Sequence, residues 1–298
     1  MLLQLIKAIR PINLLVITLT FYVLHTLGIN SLELIPGSYQ ISLKFLTIST
    51  LLIAAAGYLI NDYYDIEIDF INKAHKQNPL SKQALLTGYI ILNITALILS
   101  FTFAFSNYIF WIFPSSIFLL WLYSYRLKGL PFIGNLIVAL LSAAVPFIYL
   151  SIQEISIGSL TNTHTYSVDL IIIFSFLAFF STLARELAKD IEDIKGDKAQ
   201  GLKTIPILWG INIAKFWTIF FLLSTLLILG LLIAGIDYFA FNLLSLLIAA
   251  IFGVLPLLLS VAKSYQATEK KHYKQTGNLI KISMFGFLLF IYIYAITL

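Results

Sequence analysis

The sequence predicts an all-α, polytopic membrane protein, a bundle of about nine transmembrane helices, and three observations carry that expectation. Of 298 residues, 60% are hydrophobic and 11% charged, less than half the roughly 25% charge load of an ordinary soluble domain. Apolar stretches long enough to cross a bilayer recur along the whole chain. Basic residues gather on one side when the segments between those stretches are assigned alternately to two sides. A soluble fold of one or two domains, which the length alone allows, lacks the charge to cover its surface.

A helix crossing the hydrocarbon core needs about 20 mostly apolar residues. Such stretches run over residues 11–29, 43–60, 84–105, 108–125, 131–152, 168–187, 207–234, 238–262 and 278–298. No small-residue cleavage site follows the first, so it reads as a retained span and not a signal peptide. Only Gly235, Ile236 and Asp237 separate the seventh from the eighth. Pro114, Pro146 and Pro256 mark candidate kinks. The whole chain, 1–298, reads as one domain.

With the N-terminus inside, 18 of the 19 basic residues fall on one side, and only Lys44 falls opposite. Basic residues favour the cytoplasmic side. The expected location is therefore the cell membrane, with the N-terminus cytoplasmic. This segregation accounts for the net charge of +5, so nucleic acid is not indicated; nor is an obligate protein partner. There is no cysteine, which excludes disulfides, thiolate metal sites and cysteine nucleophiles. The four histidines (His25, His75, His164, His272) are scattered and form no zinc-binding pair.

Ten of the fourteen acids also fall on the cytoplasmic side, nine of them in two short segments, 62–69 and 186–197. The first contains Asp62, Asp65 and Asp69; the second contains Asp190, Asp193 and Asp197. Both follow D-x-x-D-x-x-x-D at the cytoplasmic end of an apolar span. At about 100° per residue, offsets of three and seven keep all three aspartates within an arc of about 60°. Glu67 and Glu192 project at about 140° and 200° and point away. Gly196 is a candidate helix terminator just ahead of Asp197.

Like charges stacked on one helix face repel, and ionised groups near hydrocarbon are costly unless compensated. Two solvated acidic helix ends would explain one copy; two copies on one side are better explained as collectors of divalent cations. Magnesium fits, because it takes oxygen ligands, keeps some water and combines one or two carboxylates with substrate phosphates. Arg185, Lys189 and Lys203 lie around the second segment, and Tyr123, Arg126 and Lys128 follow the fourth span. Carboxylates, divalent ions and Lys/Arg at one depth suit a highly charged anion such as a diphosphate. The basic cluster 263–281 reads as contact with lipid headgroups.

These residues resemble the UbiA superfamily of intramembrane prenyltransferases. The NDxxDxxxD signature of that family is matched by Asn61, Asp62, Asp65 and Asp69, and its aspartate-rich second signature by Asp190, Asp193 and Asp197. Weaker marks agree: Arg10-Pro11 followed by Asn13, the segment from Tyr123 to Lys128, and Gly134-Asn135. The resemblance implies helices around a central cavity with both motifs at its cytoplasmic mouth. It also implies transfer of a prenyl group from a prenyl diphosphate to a lipophilic acceptor through an allylic cation. The six aspartates then hold Mg2+ as the catalytic metal site. Asn61, Lys128, Arg185, Lys189 and Lys203 bind the diphosphate, with Tyr123 and Asn13 as further substrate-binding positions. Tyr58, Phe176, Phe179 and Phe180 lie on relevant spans as candidate cation-stabilising rings, although each alone is ordinary packing.

Residues 185–207 look most like the branch that adds a second geranylgeranyl group to geranylgeranylglyceryl phosphate. The segment 74–79 departs from the Arg-Pro turns often found after the first motif. Prenylation of an aromatic acceptor for quinone synthesis is the alternative within the family. A non-catalytic cation or lipid transporter is the alternative of another class. Transporters bind near the bilayer midplane, where this sequence carries almost no charge; Asn13, His25 and Asn93 are its main polar groups there.

Overall fold

The computed structural model describes residues 2–31, 37–72, 80–103, 107–150, 162–235 and 239–297. Its elements are α1 (Leu2–Ala8), α2 (Pro11–Ser31), α3 (Gly37–Asn72), α4 (Lys82–Phe103), α5 (Asn107–Tyr125), α6 (Ile133–Leu150), α7 (Asn162–Ala199), α8 (Ile205–Leu208), α9 (Ile211–Ala234), α10 (Leu243–Gln266) and α11 (Lys270–Thr297). Among the described residues, six helices are long and apolar enough to cross a membrane, and shorter apolar helices cover Pro11–Leu27, Phe110–Tyr125 and Ile133–Tyr149. Each stretch expected from the sequence coincides with one of these. The chain is a multi-pass integral membrane protein. The segment 74–79, His75 and the ends of several expected spans lie outside the described residues.

The helices divide between two compact units. Unit 1 comprises Met1–Phe21, Ile35–Lys128 and Ile148–Glu154; unit 2 comprises Tyr22–Leu34, Gly129–Phe147 and Ile155–Leu298. In unit 1, α3 packs along α4 and α5. Small residues permit the approach: a Cβ on Gly57 would stand 3.0 Å from Leu120, and one on Gly88 would stand 2.8 Å from Leu59. Van der Waals contact at small residues is the main attraction open to helices in lipid. The short α1 adds Ala8 to a cluster with Leu59, Leu80 and Leu85. Seven residues give no hydropathy signal, so α1 was not expected.

In unit 2, α7 packs against α9 and α11, and α10 packs against α11. Phe180, Phe132 and Trp217 gather round Phe221 at 5.7–6.1 Å between ring centroids. Within α10, residues Ala249–Val254 form a π-helical stretch. Pro256 has no N–H to give the Phe252 carbonyl, and the Gly253 carbonyl accepts from Ser283 Oγ at 2.8 Å. Gly286 lies against this stretch so closely that a Cβ would stand 2.2 Å from the Phe252 oxygen. Pro114 and Pro146 also lie inside helices, α5 and α6.

Two helices outlast the bilayer. α3 has 36 residues and α7 has 38, about 54 and 57 Å at 1.5 Å per residue, against a hydrocarbon core of about 30 Å. Their C-terminal turns carry the two aspartate segments. Gly196 does not end α7. The helix stops at Gly201, whose φ of +69° is the left-handed conformation. Gly201 N–H bonds to the Lys198 carbonyl at 3.2 Å and Leu202 N–H to the Asp197 carbonyl at 3.0 Å, the paired bonds of a Schellman terminus. Asp197 is therefore helical, in phase with Asp190 and Asp193.

Candidate active site

In unit 1, the motif runs along the last turns of α3. Asp65 takes a hydrogen bond from Asn61 Nδ2 at 2.8 Å, one helical turn away. It also forms an ion pair with Lys128 Nζ, delivered by the short 3-10 turn Leu127–Gly129. Asp62 faces Arg10 at 3.5 Å, and the Arg10 guanidinium lies 4.8 Å from the centroid of the Tyr58 ring. Arg10 stands at the junction of α1 and α2 with φ +52°, a conformation that costs a non-glycine residue of the order of 1 kcal/mol. The junction is strained, and it aims a cation at the motif. Asp69 and Glu67 are helical, but their side chains lie outside the description.

In unit 2, the motif occupies the last turns of α7. Asp190 accepts a hydrogen bond from Asn135 Nδ2 at 2.9 Å. Asn135 is buried in the first turn of α6. Asp193 is half exposed and lies 3.8 Å from Lys270 Nζ on α11. Glu186, 7% exposed, forms an ion pair with Arg185 and lies 4.0 Å from Lys189 Nζ. Lys203 is exposed, and its backbone N–H bonds to the Gly129 carbonyl at 2.8 Å.

Of the residues expected from the sequence, the structure joins Asn61, Asp65 and Lys128 within unit 1. Within unit 2 it places Arg185 and Lys189 against Glu186. Tyr123 is half-buried on α5, and Asn13 lies in the first turn of α2. Tyr58, read as a candidate ring for an allylic cation, already carries Arg10. Phe176 is 51% exposed, as suits a ring facing lipid. Arg10, Asn135 and Glu186 were not among the expected site residues. Arg10 and Asn135 belong to the weaker sequence marks and could have been promoted on that ground. Glu186 lies four residues before Asp190, so it extends the same helical column by one turn.

The donor chemistry fits magnesium. Hard carboxylate oxygens are present, at least two with amide partners that fix their orientation. Among the described residues no three carboxylate or imidazole groups form a ready-made metal cage. Magnesium does not require one, since phosphate oxygens and water complete its octahedron.

Comparison with known proteins places the chain. Residues 14–293 match the model of the UbiA prenyltransferase family. The digeranylgeranylglyceryl phosphate synthase of Thermococcus sibiricus is 37% identical over 225 residues, covering 74% of each chain. The synthase of the same name from Methanosphaera stadtmanae is 32% identical over 289 residues, covering 94% of this chain and 97% of that protein. Among solved structures, a digeranylgeranylglyceryl phosphate synthase matches with a TM-score of 0.72 at 23% identity, over 100% of this chain and 99% of that one. A UbiA homolog from Archaeoglobus fulgidus bound to DMAPP and Mg2+ matches with a TM-score of 0.60 at 15% identity, over 99% of this chain and 100% of that one. The chain belongs to the UbiA prenyltransferase family. It is a membrane prenyltransferase, so the transporter reading is set aside.

Proposed function

We propose that the enzyme transfers a geranylgeranyl group from geranylgeranyl diphosphate to the hydroxyl of geranylgeranylglyceryl phosphate. The carbon–oxygen bond to diphosphate breaks, an ether bond forms, and the hydroxyl proton is released. The observation that carries the chemistry is the repeated aspartate column, held in helical phase on α3 and on α7 with polar partners at Asp65 and Asp190. The acceptor is supported by the relatives, which share one name at 30–38% identity.

Asp62, Asp65, Asp69, Asp190, Asp193 and Asp197 are the residues proposed to hold Mg2+. When bound, magnesium supplies Lewis-acid neutralisation of the charge that develops on the leaving diphosphate. Asn61 and Asn135 fix carboxylates that would otherwise rotate, as outer partners of metal ligands do. Lys128, Arg185, Lys189 and Lys203 offer positive charge to phosphate oxygens, while Asn13 and Tyr123 are proposed to contact substrate. The apolar helices keep water from an allylic cation.

The segregation of basic residues supports a cytoplasmic N-terminus and cytoplasmic motifs. Cysteines introduced as Arg126→Cys and Lys198→Cys should both label from that side; labelling from opposite sides would contradict this topology. The function is tested with purified protein, labelled geranylgeranyl diphosphate, Mg2+ and a panel of acceptors. Ether product should form with geranylgeranylglyceryl phosphate and not with hydroxybenzoate or naphthoate. Product with an aromatic acceptor alone would move the enzyme to the quinone-forming branch.

A further inference from the structure

Unit 1 carries a groove that the proposed chemistry leaves unused. α4 and α5 both pack on α3 but only lightly on each other. Between them lies a cleft of about 300 Å³ lined by Tyr89, Leu97, Pro114, Ile117, Phe118 and Trp121. Phe118 is 55% exposed, so the cleft opens sideways from the helices, toward lipid.

Its dimensions select the occupant. Tyr89 and Leu97 stand about 12 Å apart along α4 at 1.5 Å per residue, which gives the cleft a mean cross-section of about 25 Å². A helix about 10 Å across would need about three times that area. One hydrocarbon chain, packed at carbon–carbon contacts of about 4 Å, fits. The lining is graded to match. Tyr89 and Trp121, which carry polar groups, are the lining residues of α4 and α5 nearest the end that bears the aspartate motif, and apolar residues follow them inward.

An aromatic row leads from the cleft to that motif. Trp121 stacks on Tyr125 at 5.4 Å, Tyr125 meets Tyr64 at 5.6 Å, and Tyr64 meets Tyr63 at 5.0 Å. Two cations flank the row: exposed Arg126 follows Tyr125, and Lys82 Nζ lies 5.1 Å from the centroid of the Tyr63 ring. Aromatic residues with lysine or arginine beyond them are ordinary at a membrane interface. A chain-sized cleft running into them is not, and basic pockets between transmembrane helices suit anionic headgroups. The row also touches the chemistry. Tyr64 immediately precedes Asp65, and Tyr125 lies two residues before the turn that delivers Lys128 to Asp65.

We infer that the cleft between α4 and α5 is a site for one anionic phospholipid of the bilayer, with a hydrocarbon chain in the cleft and the headgroup phosphate at Arg126 and Lys82. The bound lipid covers Trp121 and Tyr125 and steadies the contact between Tyr125 and Tyr64. Through that contact it steadies the ion pair of Lys128 with Asp65. Arg126 has no part in the contacts proposed for diphosphate, so it is free to meet a headgroup.

The test uses the full-length protein in phosphatidylcholine nanodiscs with and without phosphatidylglycerol. Native mass spectrometry of protein released from the mixed discs, with EDTA present, should find one phosphatidylglycerol retained per chain. Retention should exceed that of phosphatidylcholine by about fivefold or more, the factor that corresponds to about 1 kcal/mol for one basic residue near anionic lipid. Arg126→Gln, Lys82→Gln and the cleft-filling Ile117→Trp should each remove most of that preference. In discs with phosphatidylglycerol, Arg126→Gln and Lys82→Gln should raise KM for geranylgeranyl diphosphate by about threefold or more. In phosphatidylcholine alone they should match wild type. Comparison at one lipid composition cancels the bulk surface potential. Arg126 and Lys82 are exposed, so their variants should fold even where Ile117→Trp does not.

Unchanged retention in the two lysine and arginine variants would overturn the inference. So would an equal KM for variants and wild type in both lipid compositions, which would leave the lipid without effect on the motif. Displacement of phosphatidylglycerol by geranylgeranylglyceryl phosphate at equal concentration would give the cleft to the acceptor, again against it. Retention is measured without substrate, so its outcome is independent of the proposed acceptor.

Discussion

Asp65 on α3 is held by a lysine as well as an amide, whereas Asp190 on α7 is held by an amide. The spacing of the two motifs is the same, but their compensation differs. A cation neutralises a carboxylate, so an incoming metal must share or displace it. An amide orients the carboxylate and leaves its charge in place. In unit 2 the nearby cations Arg185 and Lys189 lie against Glu186. We propose that the amide partner orients the α7 column for a divalent ion, and that the α3 column, with Lys128 on Asp65, receives ion and diphosphate together.

The largest effect is expected at the aspartates. Asp65→Ala and Asp193→Ala should each lower magnesium-dependent release of diphosphate by about 10²-fold or more, the scale of losing a charge-stabilising group in a transition state. Glu192→Ala and Glu67→Ala, out of phase with the columns, should change it by less than about threefold. Equal damage from the glutamates would show that helical phase does not select the metal ligands. Removal of Mg2+ with EDTA should abolish turnover in wild type, and readdition should restore it.

Next come the partners that define the contrast. Asn135→Ala should weaken apparent magnesium affinity by about 10–100-fold, as expected for an outer partner of a metal ligand. Lys128→Met should act chiefly on the substrate. Loss of a charge-assisted contact to phosphate, about 1.5–3 kcal/mol, should raise KM for prenyl diphosphate at least tenfold with little fall in magnesium affinity. If both substitutions gave the same profile, the two columns would be equivalent and the distinction drawn above would fail.

A third prediction concerns the support beneath the α7 column. α11 packs on both α7 and α10, and its contact with the π stretch depends on Gly286 having no side chain. Gly286→Val should lower thermal stability by about 1–3 kcal/mol, the range for overpacking a filled core. Activity of the remaining folded protein should keep its KM for both substrates. A stable variant with altered KM would mean that the α10–α11 contact tunes the site and does not merely hold it.

The sequence showed the spans, because hydrophobic length is a local property. It showed the aspartate columns for the same reason: spacing on a helix fixes angular phase without any knowledge of neighbours. It did not show what each aspartate meets. Lys128 is 63 residues from Asp65, Asn135 is 55 from Asp190, and Arg10 is 52 from Asp62. Such pairings depend on tertiary packing that periodicity cannot express. Pro256 signalled a disturbed helix, yet the hydrogen bond that the neighbouring Gly253 carbonyl accepts comes from Ser283, 30 residues beyond. Glu186 is the exception, since the arithmetic that linked Asp190 to Asp193 and Asp197 already reaches it when run one turn backward.

The smallest effect is expected at the cation that does touch the second column. Lys270 lies 3.8 Å from Asp193, but the two side chains are 67% and 46% exposed. An ion pair this open contributes about 0–1 kcal/mol, screened further by salt. Lys270→Gln should therefore shift KM for either substrate by less than about threefold, and the shift should vanish in high salt. The comparison with Lys128 is the informative part, because both lysines meet a motif aspartate and differ in exposure. If Lys270→Gln raised the diphosphate KM as much as Lys128→Met, proximity to an aspartate would be enough for a lysine to serve the diphosphate. The half-buried setting that Lys128 gains from its turn after α5 would then have no part in its role.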